Sequence, residues 1–333
     1  MTGSRGGWAL EEFGGVQLGD ARRRARLVSI AAKVARRPSG TVTGVFATSA
    51  EREAAYRLLE SDAVQHEELA ASAYAAAARR CAEYSDVVVP IDGSSLNLND
   101  PAGRRGLGPV GTRKNGALGL LVMSALAVSP DGTPLGLLDQ HYWTRSSKPP
   151  KNRRARCGSK HDKRPREQRE SFLWVESLRR VNQRLSLLAR GTRAWFQLDR
   201  GADCMDVLME GADAGLHLTV RAVHDRCLKW PNGRDGHLLT SLSSQPVIGT
   251  YHVDVPARPT QVKRRATMAI RVARMPLVFR LSRKKRRVLE VTVVLATERN
   301  VPRGQTPLRW MLFTTHEVHT VADAVAVVMA YSR

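Results

Sequence analysis

Apolar and polar positions along this chain follow two different rhythms. Up to about residue 85 the period is helical. In ARRRARLVSIAAKVARR, residues 21–37, Leu27, Ile30, Ala31 and Val34 fall on one face. Asp20 is placed to cap this helix and Pro38 to end it. A second helix follows TSAE, where Thr48 and Glu51 have capping-box spacing. A third runs from about Glu67 through ELAASAYAAAARRCAEY. From Asp86 the texture changes to short apolar runs. Residues 87–91, 118–128 and 134–142 read as strands, 167–190 as a helix and AWFQLD at 194–199 as a strand. CMDVLMEGA looks helical and LHLTVRAV looks like another strand. Strands mixed with helices in this way predict an α/β domain. Residues 250–313 then read as strand after strand: YHVDVPA, ATMAIRVARM, LVFRLS, VLEVTVVLAT and LRWMLFTT. TVADAVAVVMAYSR closes the sequence as a helix, and no internal repeat is visible.

Charge changes the picture most. The 333 residues carry 53 Lys and Arg against 31 Asp and Glu, a net charge of +22. Such an excess repels itself unless a polyanion is a regular partner, and nucleic acid stands ahead of an anionic membrane surface. Three segments concentrate it: the 21–37 helix, the stretch TRSSKPPKNRRARCGSKHDKRPRE, and the acid-free interval from Arg258 to Arg287. Together they favour a surface that tracks phosphates. The hydrophobic fraction of 42% is that of a folded protein with room for two or three domains. Cysteines at 81, 157, 204 and 227 form no C-x-x-C pair, which predicts free thiols in a reducing compartment. The N-terminus lacks a signal-peptide core, and GALGLLVMSALAV is too short to span a bilayer. A cytoplasmic, nucleoid-associated protein is expected.

Two acids stand out. Asp92 follows the apolar run in VVVPIDGSSL, and Asp199 follows the one in WFQLDRGAD. Asp tolerates turns, so a strand terminator is the plainer reading on spacing alone. The alternative is a shared site for hard cations, which want oxygen ligands and leave positions open for phosphate and water.

The surroundings favour the second reading. LGDARRRARLVSIAAKVA, EAAYRLLE, IDGSSL, LDRGAD and TPLRWMLFTT resemble, in order and from about Leu18 to Tyr331, landmarks of the bacterial DDE transposases. The group resembled is that of insertion sequences and composite transposons. The resemblance implies a ribonuclease-H-like α/β catalytic domain at 81–333, preceded at 1–80 by a helical DNA-end-binding domain. An antiparallel β-region inserted at about 235–305 would interrupt the catalytic domain. It further implies Asp92 and Asp199 as catalytic ligands of Mg²⁺, with Mn²⁺ as a substitute. Arg200 and Asp203 fit the second acid's motif. Arg26, Arg36, Arg37 and Thr43 would touch the terminal repeat, and Arg221 would lie near the transposon end. Trp310 would stack on a flipped base, its other reading being a core aromatic beside Met311 and Phe313.

The resemblance also departs from the family. Its third acid belongs to a signature Y-x(2)-R-x(3)-E-x(6)-K, of which Tyr331 matches the opening residue; the Arg, Glu and Lys would lie beyond Arg333. The expectation is therefore a transposition protein truncated before the third acid and inactive alone, with double-stranded transposon ends and target DNA as partners. A homodimer is expected where the missing C-terminal region is supplied. The alternative is a catalytically dead DNA-binding fragment or inhibitor, and a more distant one is a basic RNA-associated protein.

Overall fold

The computed structural model describes residues 7–38, 40–100, 103, 105–111, 116–145, 169–259, 261–281 and 285–332. The N-terminal unit contains α1 (Gly7–Phe13), α2 (Ala21–Arg36), α3 (Val42–Val45) and α4 (Ser49–Leu59). Asp20 caps α2 by accepting the Arg22 N–H at 2.8 Å. Thr48 and Glu51 form the reciprocal capping box of α4. Two helices not read from the sequence, α1 and the single turn α3, complete the unit. Its small core is Val16, Leu18, Leu27 and Leu58, with Phe13, Ile30, Val64 and Leu69 against it. Val34, expected on the buried face of α2, is 41% exposed, because the unit's core ends a turn earlier.

A long helix, α5 (His66–Cys81), joins this unit to the sheet. Ser72 and Arg80 hold Glu12 of α1, while Ala77, Ala78 and Cys81 enter the main core. The strands are β1 (Asp86–Asn97), β2 (Gly108–Pro109), β3 (Leu118–Val128), β4 (Pro134–Trp143), β5 (Arg193–Leu198) and β6 (His217–Arg221). They continue as β7 (Cys227–Lys229), β8 (Asp235–His237), β9 (Gly249–Val255), β10 (Arg264–Arg280), β11 (Arg286–Arg299) and β12 (Arg309–Thr314). All twelve belong to one sheet, ordered β2-β3-β1-β5-β6-β12-β11-β10-β7-β8, with β4 beside β3 and β9 beside β10. β1, β5 and β6 run parallel to one another; every other pairing is antiparallel. The antiparallel strands from Cys227 to Thr314 thus widen the α/β sheet rather than build a second one.

Helices cover both faces. On the rear face lie α5, α6 (Phe172–Leu188), α7 (Met205–Asp213) and α8 (Leu238–Ser243). α6 contributes Trp174, Leu178, Val181 and Leu185, spaced to form one helical stripe. They share one core with Val87, Val89, Ile91, Phe196, Leu198, Leu218 and Val220, and each such buried side chain stabilises the fold by roughly 1.5–3 kcal/mol. On the front face α9 (Val321–Ser332) sets Ala324, Val327 and Val328 against Met268, Ile270, Val294 and Leu312. Thr320 and Asp323 cap its start reciprocally.

Three readings from the sequence need correction. β1 does not end at Asp92 but runs on to Asn97, because β3 keeps pairing with it as far as Asn97↔Gly119. At that end a Cβ on Gly119 would sit 1.8 Å from the Leu96 carbonyl oxygen, so only glycine lets the two backbones meet. ATMAIRVARM and LVFRLS are one strand, β10, and Pro276 interrupts nothing. Pro276 falls between the β9 ladder, which ends at Ile270, and the β7 bridge at Leu277, where no strand on that side asks for its missing N–H. The basic interval 258–287 is also less available than its charge suggests. Arg264, Arg274 and Arg287 are matched to Glu298, Glu290 and Asp213. The basic stretch 146–166 lies outside the described residues; its neighbour Arg145 is bound bidentately by Glu170.

Candidate metal and nucleic-acid site

In β1 the apolar residues Val87, Val89 and Ile91 alternate into the rear core, which sends Asp92 to the front. The same alternation in β5 buries Phe196 and Leu198 at the rear and brings Asp199 forward in extended backbone, φ −76° and ψ −172°. The last parallel pair between these strands is Ile91↔Leu198, so Asp92 and Asp199 occupy the next register position side by side. Neighbouring strands are about 4.8 Å apart. The pairs Leu198↔Val220 and Leu312↔Arg221 continue the row onto Arg221 and Leu312. One line across the front face therefore reads Asp92, Asp199, Arg221, Leu312.

Both carboxylates are exposed, and each spends one oxygen on a nearby backbone N–H. Gly93 donates to Asp92 Oδ1 at 2.8 Å, and Gly201 donates to Asp199 Oδ1 at 2.7 Å. Gly201 is held in a tight place, since a Cβ there would lie 3.0 Å from Asp199 Oδ1 and 3.1 Å from the Trp174 ring. Two outward-facing carboxylates on neighbouring strands make a hard oxygen donor set of the kind that suits Mg²⁺. Among the described residues no group of three or more His, Cys, Asp or Glu is arranged to hold a metal ion.

Tyr331, in the last turn of α9, closes over this row. Its hydroxyl lies near Arg221, Asp199 and Arg200. Burial pushes the phenol pKa up, and the Arg221 contact works against that rise. Trp310 stands one pleat beyond Leu312 on the same face, half-buried against the front cluster. It is at once a core aromatic and a neighbour of the row. Asp203 has a different part. Its buried carboxylate accepts the N–H groups of Val223 and His224 and pairs with Arg226, so it fixes the chain leaving β6 and has no lone pair to spare for an ion.

The row extends the other way onto residues that the sequence reading missed. Asp92 pairs with Ser124, and Ser124 pairs with Gln140. The Gln140 amide donates to the Ser124 hydroxyl at 2.9 Å, and Tyr142 donates to Gln140 Oε1 at 2.5 Å. The available signal was Ser124 itself, the only polar side chain in GLLVMSALAV.

In the N-terminal unit Arg26, Arg36, Arg37 and Thr43 are all exposed. Arg26 lies on a stripe of α2 that leads toward Arg37, the residue that caps the helix's C-terminal end in non-helical backbone. Lys33 lies on that stripe between them but is taken by Glu51 of α4, which also accepts the Ala47 and Thr48 N–H groups. One carboxylate thereby sets the angle between α2 and α4. Arg37 turns to the Gly44 carbonyl at 2.7 Å, and Thr43 shares a hydrogen bond with Thr41. Arg36, Arg37 and Thr43 are consequently brought to the same end of the unit, with Arg26 further back.

Residues 5–64 match the family model described as transposase DNA-binding. The match contains the whole α1–α4 unit and all four of its expected DNA-contacting residues. It supports a DNA-binding transposition protein with DNA as a partner. No helix among the described residues is long and apolar enough to cross a membrane.

Proposed function

We propose that this chain binds transposon-end DNA through α2–α4, and that the Asp92–Asp199 row is the metal site of a DDE-type, ribonuclease-H-like domain. The observation that carries the reading is the shared register of the two acids on one open face. The strand order β4-β3-β1-β5-β6, with three parallel strands between helical layers, supports the same fold. Bound there, divalent ions would activate a water and stabilise the oxygen leaving a phosphodiester. The protein's own residues do the rest. Asp92 and Asp199 would anchor the cations, Arg221 would neutralise a phosphate beside them, and Tyr331 stands next to that guanidinium. Trp310 offers a ring edge for a base displaced from the duplex.

Among the described residues two acids alone form an incomplete ligand set, which favours a second statement: the chain as it stands binds ends without cutting them. The test is a gel shift with the inverted repeats flanking its coding sequence, an unrelated duplex and RNA. Selective binding that falls steeply with salt is expected, and Arg36→Ala with Arg37→Ala should remove the selectivity. Equal binding to all three nucleic acids would sink the end-binding reading. Asp92-dependent cleavage with Mg²⁺ or Mn²⁺ would overturn the statement that the chain is inert.

A further inference from the structure

The rear face of β10–β12 carries a cleft that the acid row does not use. It has a volume of about 550 Å³ and is lined by Thr240 and Ser243 of α8, Arg271 of β10, Leu295 and Thr297 of β11, and Arg309 of β12. Among the described residues no carboxylate lines it. The registers Arg271↔Leu295 and Thr297↔Arg309 place the two arginines on strands separated only by β11, and two residues out of step. Their Cα atoms are thus roughly 12 Å apart, and two long side chains span that gap to one anion. Arg271 spends its Nε on the Gln245 carbonyl at 3.0 Å, which aims the guanidinium. Arg309 is exposed and pairs with no carboxylate among the described residues. On the same strands Arg264, Arg274 and Arg287 are matched to acids, whereas neither arginine of this cleft has a carboxylate partner among the described residues. Arg299 is exposed one pleat beyond Thr297 on the same face and adds to the positive field.

Two guanidiniums facing three hydroxyls, with no competing acid, form a receptor for a tetrahedral oxyanion. Arg309 points to the rear while its neighbour Trp310 points to the front. We propose that this cleft binds a backbone phosphate of DNA, as a contact separate from both the α2–α4 unit and the acid row. It rests on the proposed function for its ligand class but not for its geometry.

The experiment compares the full chain with Arg309→Gln and with Arg271→Gln/Arg309→Gln. Affinity for the terminal repeat and for an unrelated duplex is measured as a function of salt. Losing one phosphate contact should lower the steepness of log K against log salt by about 0.9, equally on both duplexes. The preference for the repeat should stay intact, whereas Arg36→Ala/Arg37→Ala should erase it. If the repeat is not preferred at all but the slope still falls, the cleft stands and the end-binding reading fails. An unchanged slope in a variant with wild-type circular dichroism and melting temperature overturns the cleft. Arg309→Gln keeps this test open where Arg271→Gln disturbs α8. Calorimetry with inorganic phosphate is the second arm. Phosphate binding that the variants abolish, without any change in the DNA slope, would assign the cleft to a free phosphate compound and overturn the proposal.

Discussion

Asp92 and Asp199 stand one residue past the last bridged pair of two neighbouring parallel strands, and both side chains emerge on the front face. They come from segments more than a hundred residues apart, yet one register fixes them both. Two like charges so placed repel, and a divalent cation between them reverses the sign of that interaction.

Asp92→Asn should therefore stabilise the metal-free protein, by up to about 1 kcal/mol. Added Mn²⁺ should raise the melting temperature of the wild type but not of Asp92→Asn or Asp199→Asn. Mn²⁺ affinity by electron paramagnetic resonance should fall at least about tenfold in either variant, since even outer-shell partners are worth that much. Unaltered Mn²⁺ binding in both would show that the acids merely face water.

A second prediction concerns the pair that ties the β10–β11 hairpin to the loop before β12. Arg264 binds Glu298 bidentately, both side chains are almost fully buried, and Glu298 Oε2 also accepts the Leu308 N–H. Glu298→Gln should cost about 3–5 kcal/mol, whereas a paired replacement, Arg264→Met with Glu298→Leu, should recover most of it. The guanidinium holds the Glu298 carboxyl below its ordinary value of 4.5, outweighing burial. A depressed carboxyl contributes stability that is complete above the ordinary value and is lost as pH falls through the lower, folded one. Urea melts between pH 6 and about pH 3 should show this acid-sensitive component in the wild type and not in the double variant.

His316 has the opposite chemistry. Its ring lies against Trp195 at 4.1 Å and His217 at 4.9 Å between centroids, and its Nε2 has no hydrogen-bond partner among the described residues. Burial first, then the charges of His217 and Arg193, push its pKa down to about 4, with Asp86 working the other way. Below the ordinary value of 6.5 the unfolded chain takes a proton that the folded one refuses. Stability should thus decline as pH falls from 6.5 toward 4. His316→Phe should flatten that decline in thermal melts at pH 5 and 7.5. A wild-type slope in the variant would mean that another group carries the proton.

Much of this protein was legible before folding. Asp20, Thr48 and Glu51 announced their helices because capping is local chemistry, complete within four residues. The alternation of Val87, Val89 and Ile91 showed that Asp92 leaves the core, since a strand's period is fixed by its backbone. Where a strand stops was not legible in the same way. β1 outlives its parallel partner because β3 still pairs with it, and Pro276 sits inside β10 because no strand on that side needs its N–H.

What the sequence determined by itself was therefore each element's identity, its inward face and its charge, all properties of neighbours a few residues apart. Only the tertiary structure decided the register that sets Asp92 beside Asp199 and Arg221, the extension of that row onto Ser124 and Gln140, and which arginines are free. Pairing between distant strands, and the matching of Arg264 to Glu298 or Arg287 to Asp213, depend on contacts that no local pattern encodes. The sequence counts cations; the fold neutralises some of them and turns Arg309, outside every basic run, toward an open cleft.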